Sequence, residues 1–253
     1  MADTVHRVYL CGRLCARIDG RRVEDALPAR QGRLLFAYLA AQRARWVPRE
    51  DLLTLLWPES SPAASDSALS ALLAKLRRAL APATIEGRHE LRLQLPTGSW
   101  IDLEAAREAL HRAESAVARS DWAAAWGPAR VSSHIAARGF LHGLDAPWVA
   151  RMREELQELL VRAHECVAAS ALGLGGSEVA TAERAARALV QLAPMRESGH
   201  RALMRALMCG DNRAEALLVY ERLRQRMRAE LGTAPSPATQ QLHRELLQAA
   251  RPH

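Results

Sequence analysis

Ser67, Ser70, Ala71, Ala74, Lys75, Arg77 and Arg78 lie within one short stretch of the chain, and their types suit contact with a base-paired nucleic acid. Small residues let a backbone approach the floor of a groove. An alanine methyl can touch a thymine methyl, a hydroxyl can bond either base, and arginine reaches guanine or phosphate. At about 100° per residue, Ser67, Ala71, Ala74 and Arg78 share one side of a helix, flanked by Ser70, Lys75 and Arg77. Leu69, Leu72, Leu73, Leu76 and Leu80 form a narrow apolar stripe on the other side. That stripe must be buried, which leaves the polar side outward. An ordinary surface helix whose C-terminal cations answer its dipole shows the same pattern, so the surrounding elements decide between the two.

Further cations flank this stretch. Arg88 and His89 stand in the turn Glu86-Gly87-Arg88-His89, with Arg92 just beyond it, where a hairpin beside such a helix would meet phosphates or a minor groove. A solvated turn is the plain alternative. Arg43, Arg45 and Arg49 can also bond phosphates, and Trp46 between them is assigned to packing.

No set of residues suggests catalysis, a cofactor or a metal. The run Leu172-Gly173-Leu174-Gly175-Gly176-Ser177 lacks the lysine and the preceding strand of a phosphate loop, and no Ser sits in a Gly-x-Ser-x-Gly elbow. His164-Glu165-Cys166 are neighbours in a helix and face different directions. Cys11 and Cys15 would share a face of one strand, but no second ligand pair of zinc-site spacing follows.

The positioning elements follow from periodicity and turn chemistry. Alternation from Val5 to Val23, broken at Gly12 and at Asp19-Gly20, predicts a small sheet with a hairpin. Leu34, Leu35, Tyr38 and Leu39 mark a helix over about 31–42, and Pro48 suits the first turn of a second helix ending at Leu56 before Trp57-Pro58. Ser61-Pro62 offers an N-cap and first position for the third helix, to about Leu80. Short alternating stretches at 84–86 and 90–95 predict a hairpin, and Trp100 to Leu103 either closes it or leads into the next helix. Three helices followed by a hairpin is the winged-helix order.

Beyond Asp102 every periodic segment is helical, over about 103–119, 121–137, 147–172, 177–191, 197–209, 211–230 and 236–250, with Pro128 expected to kink or split the second. Gly173 and Gly210 stand 37 apart as turn residues, and Ala216 with Tyr220 suits a tetratricopeptide-like repeat. Trp122, Trp126 and Trp148 are assigned to the helical core or a domain interface.

Composition agrees. The chain has 253 residues, 49% hydrophobic and 25% charged, with few Phe and Tyr, as expected for two helix-rich domains. Its formal charge is +7. Residues 1–100 carry 15 basic against 10 acidic side chains and residues 101–253 carry 20 against 18, so a polyanion-facing part is expected in the first hundred. Four scattered cysteines and the lack of a signal core or an apolar run of membrane length predict a cytoplasmic protein that makes no membrane contact.

Three segments carry a resemblance to a known family. They are the run LPARQGRLLFAYLAAQRARWVPREDLLTLLWPESSPAASDSALSALLAKLRRAL, the segment GFLHGLDAPWVARMREELQELL and the tail GDNRAEALLVYERLRQRMRAELGTAPSPATQQLHREL. In this order they resemble the Streptomyces antibiotic regulatory protein family, whose members join an OmpR/PhoB-type winged helix to a bacterial transcriptional activation domain. The match covers nearly the whole chain, and the stretches Gly139 to Trp148 and Glu230 to Pro237 are its most specific parts.

The resemblance implies a winged-helix DNA-binding domain over 1–100 and an all-α, tetratricopeptide-like activation domain over 101–253. It implies a transcriptional activator that binds promoter-proximal repeats in double-stranded DNA as paired protomers and contacts RNA polymerase through its sigma or another subunit. The helix from Ala63 to Leu80 becomes the recognition helix and the hairpin at Gly87 the wing. One departure stands out: Asp66, Ser67 and Ser70 occupy positions where relatives commonly carry basic or amide residues. Asp66 must point away from phosphate, accept from a cytosine amine, or weaken DNA binding. The alternative function is a protein-interaction scaffold whose winged helix no longer binds DNA, which salt dependence of DNA binding would distinguish. No receiver or ATPase module is visible, so activity is expected to follow abundance, a partner, or a small ligand in the helical part.

Overall fold

The computed structural model describes residues 6–57 and 62–248. Ser61, the expected N-cap of the third helix, lies outside the described residues, as do Val5 and Pro58. The chain forms two compact units: one runs to Arg107 and takes in Ile135–Gln157, the other comprises Glu108–His134 and the chain from Glu158 onward.

The first unit opens with strands β1 (Arg7–Tyr9), β2 (Cys15–Ile18) and β3 (Arg21–Arg22). Asp19 and Gly20, at φ 52° and 73°, make the tight β2–β3 turn expected of Asp-Gly. Helices α1 (Ala29–Ala41), α2 (Arg49–Leu56) and α3 (Pro62–Leu80) follow, with the short strand β4 (Val47–Pro48) ahead of α2. The hairpin β5 (Thr84–Glu86) and β6 (Glu90–Gln94) comes next, and β4 joins its far side, giving a sheet ordered β4-β6-β5. The winged-helix order is thus present, with a third strand that two residues of irregular sequence could not reveal.

Strand β7 (Trp100–Ile101) resolves the ambiguity at 100–103 in an unexpected way. It pairs parallel with β1, Val8 opposite Ile101, so the N-terminal sheet runs β3-β2-β1-β7. Helix α4 (Asp102–Ala118) starts directly after it. The buried Asp102 carboxylate accepts from the backbone N–H groups of Leu10 at 2.8 Å and Cys11 at 3.0 Å. Burial pushes its pKa up, against the opposing pull of these bonds and of Arg138.

The specific stretch at 139–148 packs into this same unit. Gly12 N–H donates to Gly139 O at 2.8 Å, Leu141 N–H to Leu10 O at 3.0 Å, and His142 N–H to Gly12 O at 2.7 Å. Trp148 is buried edge-on against Tyr38 and Phe140, with ring centroids 5.2 Å and 5.9 Å away. Cys11 and Cys15 do not share a strand: Cys11 bridges to Phe140 beyond β1, while Cys15 opens β2.

The second unit is helical. It holds the C-terminal part of α4, most of α5 (Trp122–Ala136), and α6 (Pro147–Leu174) from Glu158 on, then α7 (Val179–Leu192), α8 (Glu197–Cys209), α9 (Arg213–Leu231) and α10 (Pro237–Gln248). Pro128 lies inside α5, which stays continuous. Successive packing of α7 on α8, α8 on α9, and α10 on both fits the repeat reading. Ala171, Ala182 and Ala206 meet in a core where small side chains let helices approach closely.

Gly173 serves a purpose other than a turn. It sits within α6, and a Cβ there would stand 2.3 Å from the Trp122 ring, so glycine makes room for an indole. The turn falls to Gly175 and Gly176, both at positive φ. In the other specific stretch, Gly232 ends α9 in the left-handed conformation. Ser236 then donates to the Glu197 carboxylate through its N–H at 3.0 Å and its hydroxyl at 2.7 Å.

Candidate nucleic-acid interface

The face singled out in the sequence is built by α3 and the β5–β6 hairpin. Leu69, Leu72, Leu73, Leu76 and Leu80 are all buried, as their spacing requires. Ser67, Ser70, Ala71, Ala74, Lys75, Arg77 and Arg78 are all exposed. The helix therefore presents small and hydroxylated residues along its middle, with cations in its last turns.

The cations divide by their engagement. Lys75, the one lysine of the sequence, and Arg88 at the hairpin tip have no ion pair or side-chain hydrogen bond among the described residues. Arg78 makes only a long bond, 3.4 Å, to Ala74 O of its own helix. His89 is exposed beside Arg88, and its carbonyl accepts from Arg49 N–H at 2.8 Å, joining the start of α2 to the hairpin.

Arg77 instead turns to the hairpin, donating from Nε to Ile85 O at 3.0 Å and from a terminal nitrogen to Gly87 O at 3.3 Å. Arg92 pairs with Glu86 at 3.2 Å and lies over the Trp46 ring, 4.4 Å from its centroid. Trp46, assigned from the sequence to packing, also closes on Gly87. A Cβ at that position would stand 1.9 Å from Glu90 O and 2.9 Å from the indole, and φ is 88°, so only glycine fits the tip.

Asp66 is answered by Arg49. The guanidinium donates from Nε to the Asp66 carboxylate at 2.6 Å and from a terminal nitrogen to the Ser70 hydroxyl at 2.7 Å. That hydrogen bond holds the Asp66 pKa below its ordinary value. The acid therefore adds no unmatched negative charge to the face, and the arginine anchors α2 to α3. Sequence reasoning missed this pair because its members lie 17 residues apart on separate helices. Arg43 is likewise held, by a two-pronged contact with Glu104 at 2.6 Å, while Arg45 is exposed.

Among the described residues no group of His, Cys, Asp and Glu could hold a metal ion, and no helix is long and apolar enough to cross a membrane. What the face offers is hydrogen bonding and positive charge.

A family model for the bacterial transcriptional activator domain matches residues 101–247. The chain belongs to that family. As a bacterial transcriptional activator domain protein it is 29% identical over 246 residues to the Regulatory protein AfsR of Streptomyces coelicolor, an alignment covering 96% of this chain and 24% of AfsR. It is also 29% identical over 246 residues to the Transcriptional regulatory protein EmbR of Mycobacterium tuberculosis, covering 94% of this chain and 62% of EmbR. The chain thus spans 24% and 62% of the lengths of these relatives. The solved structure of Mycobacterium tuberculosis EmbR in complex with a low-affinity phosphopeptide shares the fold, with a TM-score of 0.83 at 22% identity over 98% of this chain and 66% of that one. The resemblance to the Streptomyces antibiotic regulatory proteins therefore holds, and the relatives named are regulators rather than enzymes.

Proposed function

We propose that this activator-domain protein is a transcriptional activator that binds double-stranded DNA through α3 and the β5–β6 wing. Residues 1–100 form the DNA-binding part and residues 101–253 the part that meets RNA polymerase, with a second protomer on a neighbouring repeat. One observation carries the reading: α3 buries its leucines and exposes an opposite side of Ser67, Ala71, Ala74, Lys75 and Arg78, the composition a helix needs in a major groove. Ser70 and Arg49 flank that side, Arg88 and Arg92 supply the wing's positive charge, and His89 stands exposed as a polar group beside them. Arg77 braces the two elements, so its contribution is to hold the wing against α3. The regulatory names of the relatives agree with this role.

Promoter-region DNA from the source genome is expected to retard the protein at low salt, with affinity falling steeply as ionic strength rises because each neutralised phosphate releases counterions. Replacing Arg78 with Ala should weaken binding by about 1 to 3 kcal/mol with the fold intact. Because Lys75 is the sole lysine, an amine-reactive label reads one internal position, and bound DNA should protect it. A protein that leaves the DNA unretarded at low salt is the scaffold instead.

A further inference from the structure

Helices α7, α8 and α9 line a half-open cavity of about 560 Å³, within the range that small-molecule sites occupy. Its wall is cationic. Arg187, Arg222 and Arg226 line it with a single acid, Glu230. Arg187 is taken up by Glu183 and Glu215, each at 2.7 Å, and Arg226 faces Glu230 at 3.5 Å. Arg222 has no ion pair or side-chain hydrogen bond among the described residues, whereas carboxylates match the other two arginines of the wall. Like charges one helical turn apart repel, so Arg222 and Arg226 on one wall create a field that an anion would relieve.

Two kinds of neighbour accompany these cations. Gln191 and Gln225 line the cavity with amides that bond nothing among the described residues, while Val190, Leu203 and Val219 give it an apolar side. His200 also stands in the wall, almost wholly buried. Its Nε2 lies 2.9 Å from Pro194 O, to which it donates, and its Nδ1 is buried without a partner. With Nε2 carrying the hydrogen, Nδ1 is an acceptor, so it suits a donor such as a hydroxyl and adds nothing to the pull on an anion.

We propose that this cavity binds a small organic anion, a carboxylate or phosphate monoester held by Arg222 and Arg226 with its apolar body against Val190, Leu203 and Val219. Bare arginines on a convex surface would need no such ligand. Here Arg222, which is unpaired among the described residues, and Arg226, which has only Glu230 at 3.5 Å, share a half-open and half-apolar space with two amides. The occupant would touch three successive helices at once and so tie the packing of the repeat to its presence. The inference does not depend on the DNA-binding reading, since a chain that ignores DNA would still bind the anion.

The full chain should be titrated with 2-naphthoate, 2-naphthyl phosphate and the neutral 2-naphthamide, followed by calorimetry and by amide shifts in NMR spectra. At least one anion should bind saturably, with shifts gathered on α7, α8 and α9 and affinity at least about tenfold above that of the amide. Preference between the two anions identifies the head group. Arg222→Gln with Arg226→Gln should lose about tenfold or more in affinity with an unchanged circular dichroism spectrum. Arg222→Gln alone, which breaks no bond of the fold, serves if the pair misfolds. Amide binding equal to that of both anions, a variant that binds as the parent does, shifts away from these helices, or no saturable binding at millimolar anion would each overturn the proposal.

Discussion

Arg196 in the helical unit reaches both Glu158 and Glu165, at 2.7 Å and 2.9 Å, and Arg162 grips Glu114 at 2.7 Å. On α3 and the wing, Lys75 and Arg88 meet no carboxylate, and Arg77 is given to backbone carbonyls instead. The two regions use similar side chains for different ends. Ion pairs join neighbouring elements in the helical unit, and Arg49 with Asp66 does the same for α2 and α3, whereas the side chains of Lys75 and Arg88 stay open to solvent. Within the helical unit Arg222 is unpaired in the same sense among the described residues, so the cavity it lines is where the two regions are alike.

The contrast also appears in the cores, and mutations can sharpen it. The largest effect should come from Leu76→Ala, which removes a fully buried side chain of the α3 stripe and should cost about 2 to 5 kcal/mol. Native-state hydrogen exchange should place the loss in the first unit and leave α7 to α10 protected. An even loss across both units would show that the two behave as one cooperative body. Next comes Gly173→Ala, which forces a methyl onto the Trp122 ring and should cost about 1 to 3 kcal/mol, confined to the helical unit. Adding Trp122→Ala should recover part of that cost; no recovery would mean the glycine serves the backbone instead. The smallest change is Asp66→Asn, which frees Arg49 for phosphate. DNA binding should tighten a few-fold, and the log–log salt slope should steepen by about one. An unchanged slope would mean that Arg49 stays committed to Ser70.

Much of this was legible in the sequence because it is local. The leucine stripe of α3 follows from its 3.6-residue period, the β2–β3 turn from Asp19-Gly20, and the continuation of helices after Asp102 from repeated apolar spacing. The illegible parts depend on distant partners. Nothing near Trp100 and Ile101 says that they pair with β1, since parallel pairing is set by where the chain has already gone. Gly139 to Trp148 could be recognised as specific, yet its attachment to Leu10 and Gly12 has no local signature. Gly173 looked like punctuation because a glycine cleared for an indole and a glycine needed for a turn are the same letter. Within the candidate site, the positions of Ser67 to Arg78 came through, while the division into engaged and unengaged cations did not. That division is decided by atoms contributed from α2 and the hairpin.

The brace from Arg77 to Ile85 O and Gly87 O ties helix and hairpin together like the two arms of a caliper. If α3 seats in one groove, the tip at Arg88 lands at a set interval along the duplex, with little freedom to adjust. Such a protein would be sensitive to groove width as well as to base identity, and would favour operators whose intrinsic shape already matches the gap between its jaws.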